Sequence, residues 1–171
     1  MGAVLVVLSG LPGVGKTAIA REVASRSGAV LLRIDSIEQA IRNSGVVQRS
    51  IDDAGYRVAY ALAEDNLRLG RIVIADSVNP IQLTRDAWLD AATRANVQAV
   101  EIEIVCTDVN EHRRRVETRT ADISGLRLPT WNEVLAREYE PWNSEHLILD
   151  TSSKRLDENV KAVLEVLRDL C

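Results

Sequence analysis

The chain has 171 residues, enough for one domain with a sizeable core and too few for a second catalytic module. Hydrophobic residues make up 46% and charged ones 27%, and 25 acidic side chains against 21 basic ones give a net charge of −4, which argues against tight non-specific binding to nucleic acid. No apolar run approaches the roughly 18 residues that cross a bilayer, no secretory pattern opens the chain, and two cysteines are too few for a disulfide framework, so a cytoplasmic protein without a membrane partner is expected.

The first element is an apolar β-branched run at residues 4–8, which reads as a buried strand. It leads into Ser9-Gly10-Leu11-Pro12-Gly13-Val14-Gly15-Lys16-Thr17-Ala18, where Gly10, Gly15, Lys16 and Thr17 fit G-x-x-x-x-G-K-[ST] between a strand and a helix. Glycines let backbone N–H groups close around phosphates, and the following helix turns its positive end to them. Lys16 adds a point charge and Thr17 a hydroxyl for Mg²⁺. Gly10, Gly13, Val14, Gly15, Lys16, Thr17 and Ala18 are therefore the expected binding residues for a nucleoside triphosphate.

A helix over residues 17–26 should end at Gly28, a natural left-handed stop. Residues 30–34 form a second strand and Asp35 stands at its end. Ligands of open α/β sheets lie outside the carboxyl ends of the strands, so Asp35 points to the crevice of the phosphate loop. Asp-x-x-Glu with Glu38 equally fits a capping box on a helix over 36–43, and the two roles are compatible. After a connection at 45–49, a helix from Ser50 to about Leu69 should bury Val58, Ala59 and Leu62, with Tyr56 and Tyr60 packing beside them and Gly70 as its stop.

The third strand, residues 71–75, closes on Asp76, suited with Thr17 to hold Mg²⁺ or its waters. Asn79 and Pro80 resemble the cap and first residue of a helix reaching about Ala95. In residues 97–105, Glu101 and Glu103 alternate with Val100, Ile102 and Ile104, which suggests a strand nearer an edge of the sheet. Asp108 and Glu111 open the next helix, which carries Arg113, Arg114 and Arg115 and runs on to Arg119. Arg115 and Arg119 are four apart and so share a helix face, with Glu117 on a different one, and either face phosphates or form a solvated charged surface. The poorly periodic stretch to Pro129 reads as a lid at about 113–130.

Thr130 and Glu133 form a capping box before Trp131, Val134, Leu135, Tyr139 and Trp142, an apolar stripe suited to packing or to anchoring the lid, and Pro141 should end that helix. His112 and His146 lack partners at metal-ligand spacing and read as structural, as do Cys106 and Cys171. A strand at 146–149 and a helix with Leu156, Val160, Val163, Leu164, Leu167 and Leu170 inward complete the chain. Regular strand–helix alternation predicts one domain over residues 1–171, a three-layer α/β/α fold with a five-stranded parallel sheet.

With the loop at 10–17, Asp35 after the second strand and the arginine helix running into a lid, the chain resembles the small phosphate-loop kinases of the zeta-toxin, chloramphenicol phosphotransferase, gluconate kinase and polynucleotide 5′-kinase group. Residues 111–142 are also similar to bacterial proteins described only as kinase-like ATP-binding proteins. The resemblance implies an ATP- and Mg²⁺-dependent phosphotransferase acting on a hydroxyl of a small-molecule or nucleotide-like acceptor. It implies Asp35 as the group that takes the acceptor's proton, Lys16 on the phosphates, and Arg115 and Arg119 as lid arginines on the transferring charge. No Asn-Lys-x-Asp guanine-reading motif is present. A nucleotide-binding switch, or regulatory ATPase, working through a partner is the competing class, and an RNA- or DNA-end-binding module using the arginine helix is a third.

Overall fold

A computed structural model describes residues 2–46 and 50–170; Met1, Cys171 and residues 47–49 of the expected connection lie outside them. The five strands are β1 (Val4–Ser9), β2 (Val30–Arg33), β3 (Val73–Asp76), β4 (Gln98–Val105) and β5 (Leu147–Asp150). All pair in parallel, in the order β2-β3-β1-β4-β5. β1 is buried along its whole length because alternate side chains serve two cores. Val4, Val6 and Leu8 face α1 (Lys16–Ser27) and α7 (Leu156–Leu170), meeting Ile19, Val23, Val160, Val163 and Leu167. Leu5 and Val7 face α3 (Ala54–Arg68) and α4 (Gln82–Arg94), meeting Ala59, Ala63, Leu67, Trp88 and Ala92. The α/β/α sandwich with a five-stranded parallel sheet therefore follows from strands too apolar to face water on either side, each large aliphatic contributing about 1.5–3 kcal/mol on burial.

This order places β1 between β3 and β4, the strands that chain connections reach in opposite directions, so a crevice opens at the carboxyl end of β1. The loops there are tied together: Gly10 N–H donates to Val78 O at 3.1 Å and Ser77 N–H to Leu8 O at 3.4 Å.

Several boundaries differ from those expected. Asp35 does not cap a helix, because α2 (Ile34–Asn43) starts two residues before the expected Ser36, with Arg33 as its N-cap and no side-chain cap bond. α3 begins at Ala54, after a turn in which Asp52 has φ 43°, and its inner face is Gly55, Ala59, Ala63 and Leu67. Val58 and Leu62 are each 41% exposed; small residues on the other side let α3 approach α2, and Glu38 packs where a side chain on Gly55 would sit. β4 is bounded by both β1 and β5, one strand from the edge. Its carboxylates alternate with apolar residues because they have partners, Ser144 for Glu101 at 3.2 Å and His146 for Glu103 at 3.4 Å. The helix after Thr130 is only α6 (Trp131–Leu135), ended well before Pro141. Its aromatic successors leave the helix to stack elsewhere, Tyr139 and Trp142 on the guanidinium of Arg85 and Trp142 on His146. Leu135 is consequently exposed, as is Leu156 at the start of α7.

Asn79 and Pro80 also differ: α4 starts at Gln82, two residues beyond Pro80. Asn79 is instead fully buried at φ 48°, a left-handed conformation that asparagine tolerates better than most residues. Its Nδ2 donates to Ser9 Oγ at 2.9 Å and its Oδ1 accepts from Trp88 Nε1 at 3.1 Å, linking the end of β1 to the core of α4. Its main-chain O accepts from buried Arg85 at 3.1 Å. Replacing the amide leaves the Trp88 indole N–H without its acceptor. Asn79→Ala is expected to lower the unfolding free energy by about 2–4 kcal/mol in urea denaturation, and a loss below about 0.5 kcal/mol would contradict this role.

Candidate active site

The loop from Gly10 to Gly15 has glycine where geometry demands it. Gly10 has φ 138°, and a Cβ there would stand 2.2 Å from Ile104 O; Gly13 has φ 87°, and a Cβ would meet Val116 Cγ2 at 2.5 Å. The loop is fastened from two sides. His112 Nε2 donates to Pro12 O at 2.9 Å, with its ring edge-on to Trp131. Thr151 Oγ1 lies 2.7 Å from Val14 O, to which it donates, and accepts from Arg115 Nη1 at 2.8 Å. Both histidines thus make contacts that hold neighbouring elements together, and Cys106 is a buried free thiol.

α1 opens on Gly15 in a left-handed conformation, with no side-chain cap and no acid in its first turn. Its first internal bond from beyond the loop is Ile19 N–H to Gly15 O at 3.3 Å, so the N–H groups of Lys16, Thr17 and Ala18 precede it. Lys16 folds back, Nζ donating to Gly10 O at 2.8 Å and Leu11 O at 2.9 Å. Burial lowers the pKa of its ammonium to about 8, against the opposing pull of Asp76 and Asp35. Thr17 Oγ1 donates to Asp76 Oδ2 at 2.6 Å. Burial raises the Asp76 carboxyl above its usual range despite Lys16 and Thr17 nearby. The glycine cradle, the uncapped helix start and an oxygen pair on Thr17 and Asp76 fit a phosphate chain with a divalent cation.

These groups line a cavity of about 860 Å³ that also takes in Asp35, Tyr56, Arg119 and the stretch from Gly125 to Pro129. Asp35, in the first turn of α2 with its side chain 55% exposed, has Oδ2 3.7 Å from Arg33 Nη2. Arg119 follows the end of α5 (Val109–Thr118) with ψ 147°. The shared helical face of Arg115 and Arg119 is therefore broken at Arg119. The Arg119 Nε is buried without a hydrogen-bond partner among the described residues, and burial lowers its guanidinium below the ordinary value. Arg115 does not line the cavity: its Nε donates to Glu111 at 2.7 Å and its Nη2 to Thr151 O at 3.0 Å. The lid expected at 113–130 begins inside α5 and becomes irregular only after Thr118.

Sequence reasoning passes over Arg33, Asp122 and Arg137. Arg33 pairs in register with Asp76 across β2 and β3, at a strand end like those that mark Asp35 and Asp76, so the same rule applies to it. Asp122 accepts from Arg33 Nη1 at 2.7 Å and Nη2 at 3.1 Å and also binds Arg21. The Arg33 hydrogen bond, opposed by partial burial and aided by Arg21, holds the Asp122 carboxyl far below the usual carboxylate range. Nothing in the aperiodic stretch around Asp122 signals this bridge.

The chain belongs to the AAA domain family, whose match covers residues 5–141. No curated protein matches the sequence as a relative. Among solved structures it is similar to the Mycobacterium tuberculosis APS kinase CysC in complex with AMPPNP and APS, at 19% identity over 98% of each chain with a TM-score of 0.75. APE1195 is similar at 24% identity over 99% of this chain and 96% of that one, with a TM-score of 0.74. Chaetomium thermophilum Kti12 in complex with ADP-AlF3 is similar at 23% identity over 97% of this chain and 98% of that one, with a TM-score of 0.70. These likenesses show the fold, the α/β P-loop kinase fold. Among the described residues no helix is long and apolar enough to cross a membrane.

The buried Lys16 gives a thermodynamic signature. Its folded pKa, about 8, lies below the ordinary lysine value of 10.5, so between these pH values the unfolded chain binds more protons and stability rises with pH. Lys16→Met should lack that rise, and in the ligand-free protein at pH 7 it should unfold at higher urea, by up to about 3 kcal/mol. Urea titrations of both proteins from about pH 7 to 11 check this, and identical pH profiles would contradict it.

Proposed function

We propose that the protein is an ATP-dependent phosphotransferase of the small phosphate-loop kinase group, moving the γ-phosphoryl group to a hydroxyl of a small-molecule or nucleotide-like acceptor. One observation carries the reading: the phosphate loop and Asp35 line the same cavity, whose volume of about 860 Å³ leaves room for an acceptor beside the phosphates. Two kinases of similar fold support it, the APS kinase CysC with its bound AMPPNP and APS, and a gluconokinase from Sinorhizobium meliloti.

In this reading the backbone of residues 13–18 holds the phosphates, and Lys16 exchanges the carbonyls of Gly10 and Leu11 for phosphate oxygens. Thr17 and Asp76 would hold Mg²⁺, which supplies charge neutralisation across the phosphates. Asp35 orients the acceptor hydroxyl and takes its proton as the oxygen bonds to phosphorus and the bond to the ADP oxygen breaks. Arg119 stabilises charge on the transferring group, where an anion would meet its unpartnered Nε and offset its burial. Arg115 acts at one remove: through Thr151 it holds the loop carbonyl of Val14.

Two substitutions separate binding from transfer. Lys16→Ala should weaken nucleotide binding by roughly tenfold or more. Asp35→Asn should leave nucleotide affinity within about threefold while lowering acceptor-dependent turnover about 10²–10⁴-fold. Nucleotide titration and ADP release with and without hydroxyl compounds measure both. Full turnover by Asp35→Asn would remove the base assignment, and hydrolysis that responds only to a protein partner would favour the switch.

A further inference from the structure

Arg33 and Asp76 end neighbouring parallel strands in register, so their side chains project to the same face of the sheet. Both are largely enclosed, the Arg33 side chain at 11% exposure and that of Asp76 at 4%. A guanidinium so placed beside a buried carboxylate is expected to close into a hydrogen-bonded pair. Here it does not. Arg33 Nε stands 3.8 Å from Asp76 Oδ2, beyond hydrogen-bond length, and is left without a partner among the described residues.

Asp122 accounts for the gap. From the irregular stretch beyond α5 its exposed carboxylate takes Arg33 in a fork, accepting from Nη1 at 2.7 Å and from Nη2 at 3.1 Å. Arg21, exposed on α1, braces the same carboxylate from a second side. Such a two-pronged contact fixes a guanidinium in orientation as well as in place. The contested oxygen is Asp76 Oδ2, which accepts from Thr17 Oγ1 at 2.6 Å and is also the one that Arg33 Nε approaches. A shift of about 1 Å would bring Nε within bonding distance of it. Asp35 Oδ2, 3.7 Å from Nη2, is the weaker attraction because that carboxylate is exposed to solvent.

Resting on the phosphotransfer reading, in which Thr17 and Asp76 hold Mg²⁺, we propose that Asp122 is a positioning residue for the cation site: by holding Arg33 in its fork it keeps that guanidinium off Asp76 and leaves the carboxylate to the divalent ion. The stretch beyond α5 thereby shapes the metal site without touching it. Released from Asp122, Arg33 has a desolvated carboxylate within reach, and its fixed charge then competes with the ion for one oxygen.

The test compares the two ends of one bridge. The affinity of the full chain for a non-hydrolysable ATP analogue is measured calorimetrically with Mg²⁺ and with excess chelator, and the ratio gives the contribution of the ion. Asp122→Ala should lower that ratio by about tenfold, with the affinity in chelator changed by less than about threefold. Arg33→Met, or Arg33→Gln, removes the competing charge and leaves Asp122 on Arg21, so the ratio should not fall. Asp122→Ala combined with either Arg33 variant should recover the ratio to within about threefold of the unsubstituted protein. A bridge that only fastens the lid predicts the same fall from either end and no recovery in the double variant. That result, or an unchanged ratio in Asp122→Ala, would overturn the positioning role and leave Asp76 as the ion's ligand. The underlying assignment fails separately: Asp76→Asn that kept the full Mg²⁺ contribution would overturn both the cation site and the role of Asp122. Because no acceptor enters these measurements, their failure leaves phosphotransfer itself standing.

Discussion

The backbone at Gly10 and Gly13 runs so close to its neighbours that side chains there would collide, with Ile104 O on one flank and Val116 on the other. This close approach governs the site. It brings the carboxyl end of β1 against β4 and α5, which in turn lets His112 and Thr151 hold the loop carbonyls of Pro12 and Val14. Because a trans peptide sets its N–H opposite its carbonyl, fixing the carbonyls of Pro12 and Val14 turns the N–H groups of Gly13 and Gly15 away from His112 and Thr151. Rigidity in the loop thus originates in elements 100 and more residues downstream.

Charge follows a similar logic. A chain of net charge −4 concentrates Lys16 and six arginines around one cavity, against the carboxylates of Asp35, Glu38, Asp76 and Asp122. Burial depresses Lys16 and Arg119 and raises Asp76, so each charged form is disfavoured where it stands. A polyanion with a divalent cation would relieve all three together, supplying the opposite charge that restricted access to water denies them. The Asp122 bridge to Arg21 and Arg33 meanwhile fastens the irregular stretch beyond α5 over the same cavity.

What is legible in the sequence is local. The five strands show as short apolar runs, the loop at 10–17 is a contiguous motif, and α7 carries a clear helical stripe, so the three-layer fold can be read directly. Asp35 and Asp76 follow from the rule for strand ends, which holds for any parallel sheet. Expectation and structure part where a residue's partner is distant in sequence. Asn79 has the look of a cap because its true partners, Ser9 and Trp88, belong to other elements. Arg115 looks equivalent to Arg119 because four-residue spacing implies a shared face, and nothing local reveals that α5 stops between them. Tyr139 and Trp142 keep helical spacing although Arg85, far earlier in the chain, is what orders them.

Everything proposed for the cavity turns on whether it joins a triphosphate to an organic hydroxyl. Following the label from γ-labelled ATP, in the presence of the protein, Mg²⁺ and a fractionated pool of small hydroxyl compounds, decides this. Label recovered on an organic product, and lost with Asp35→Asn, is the result expected. Label recovered solely as inorganic phosphate, at the same rate with and without the pool, would contradict phosphotransfer to an organic acceptor.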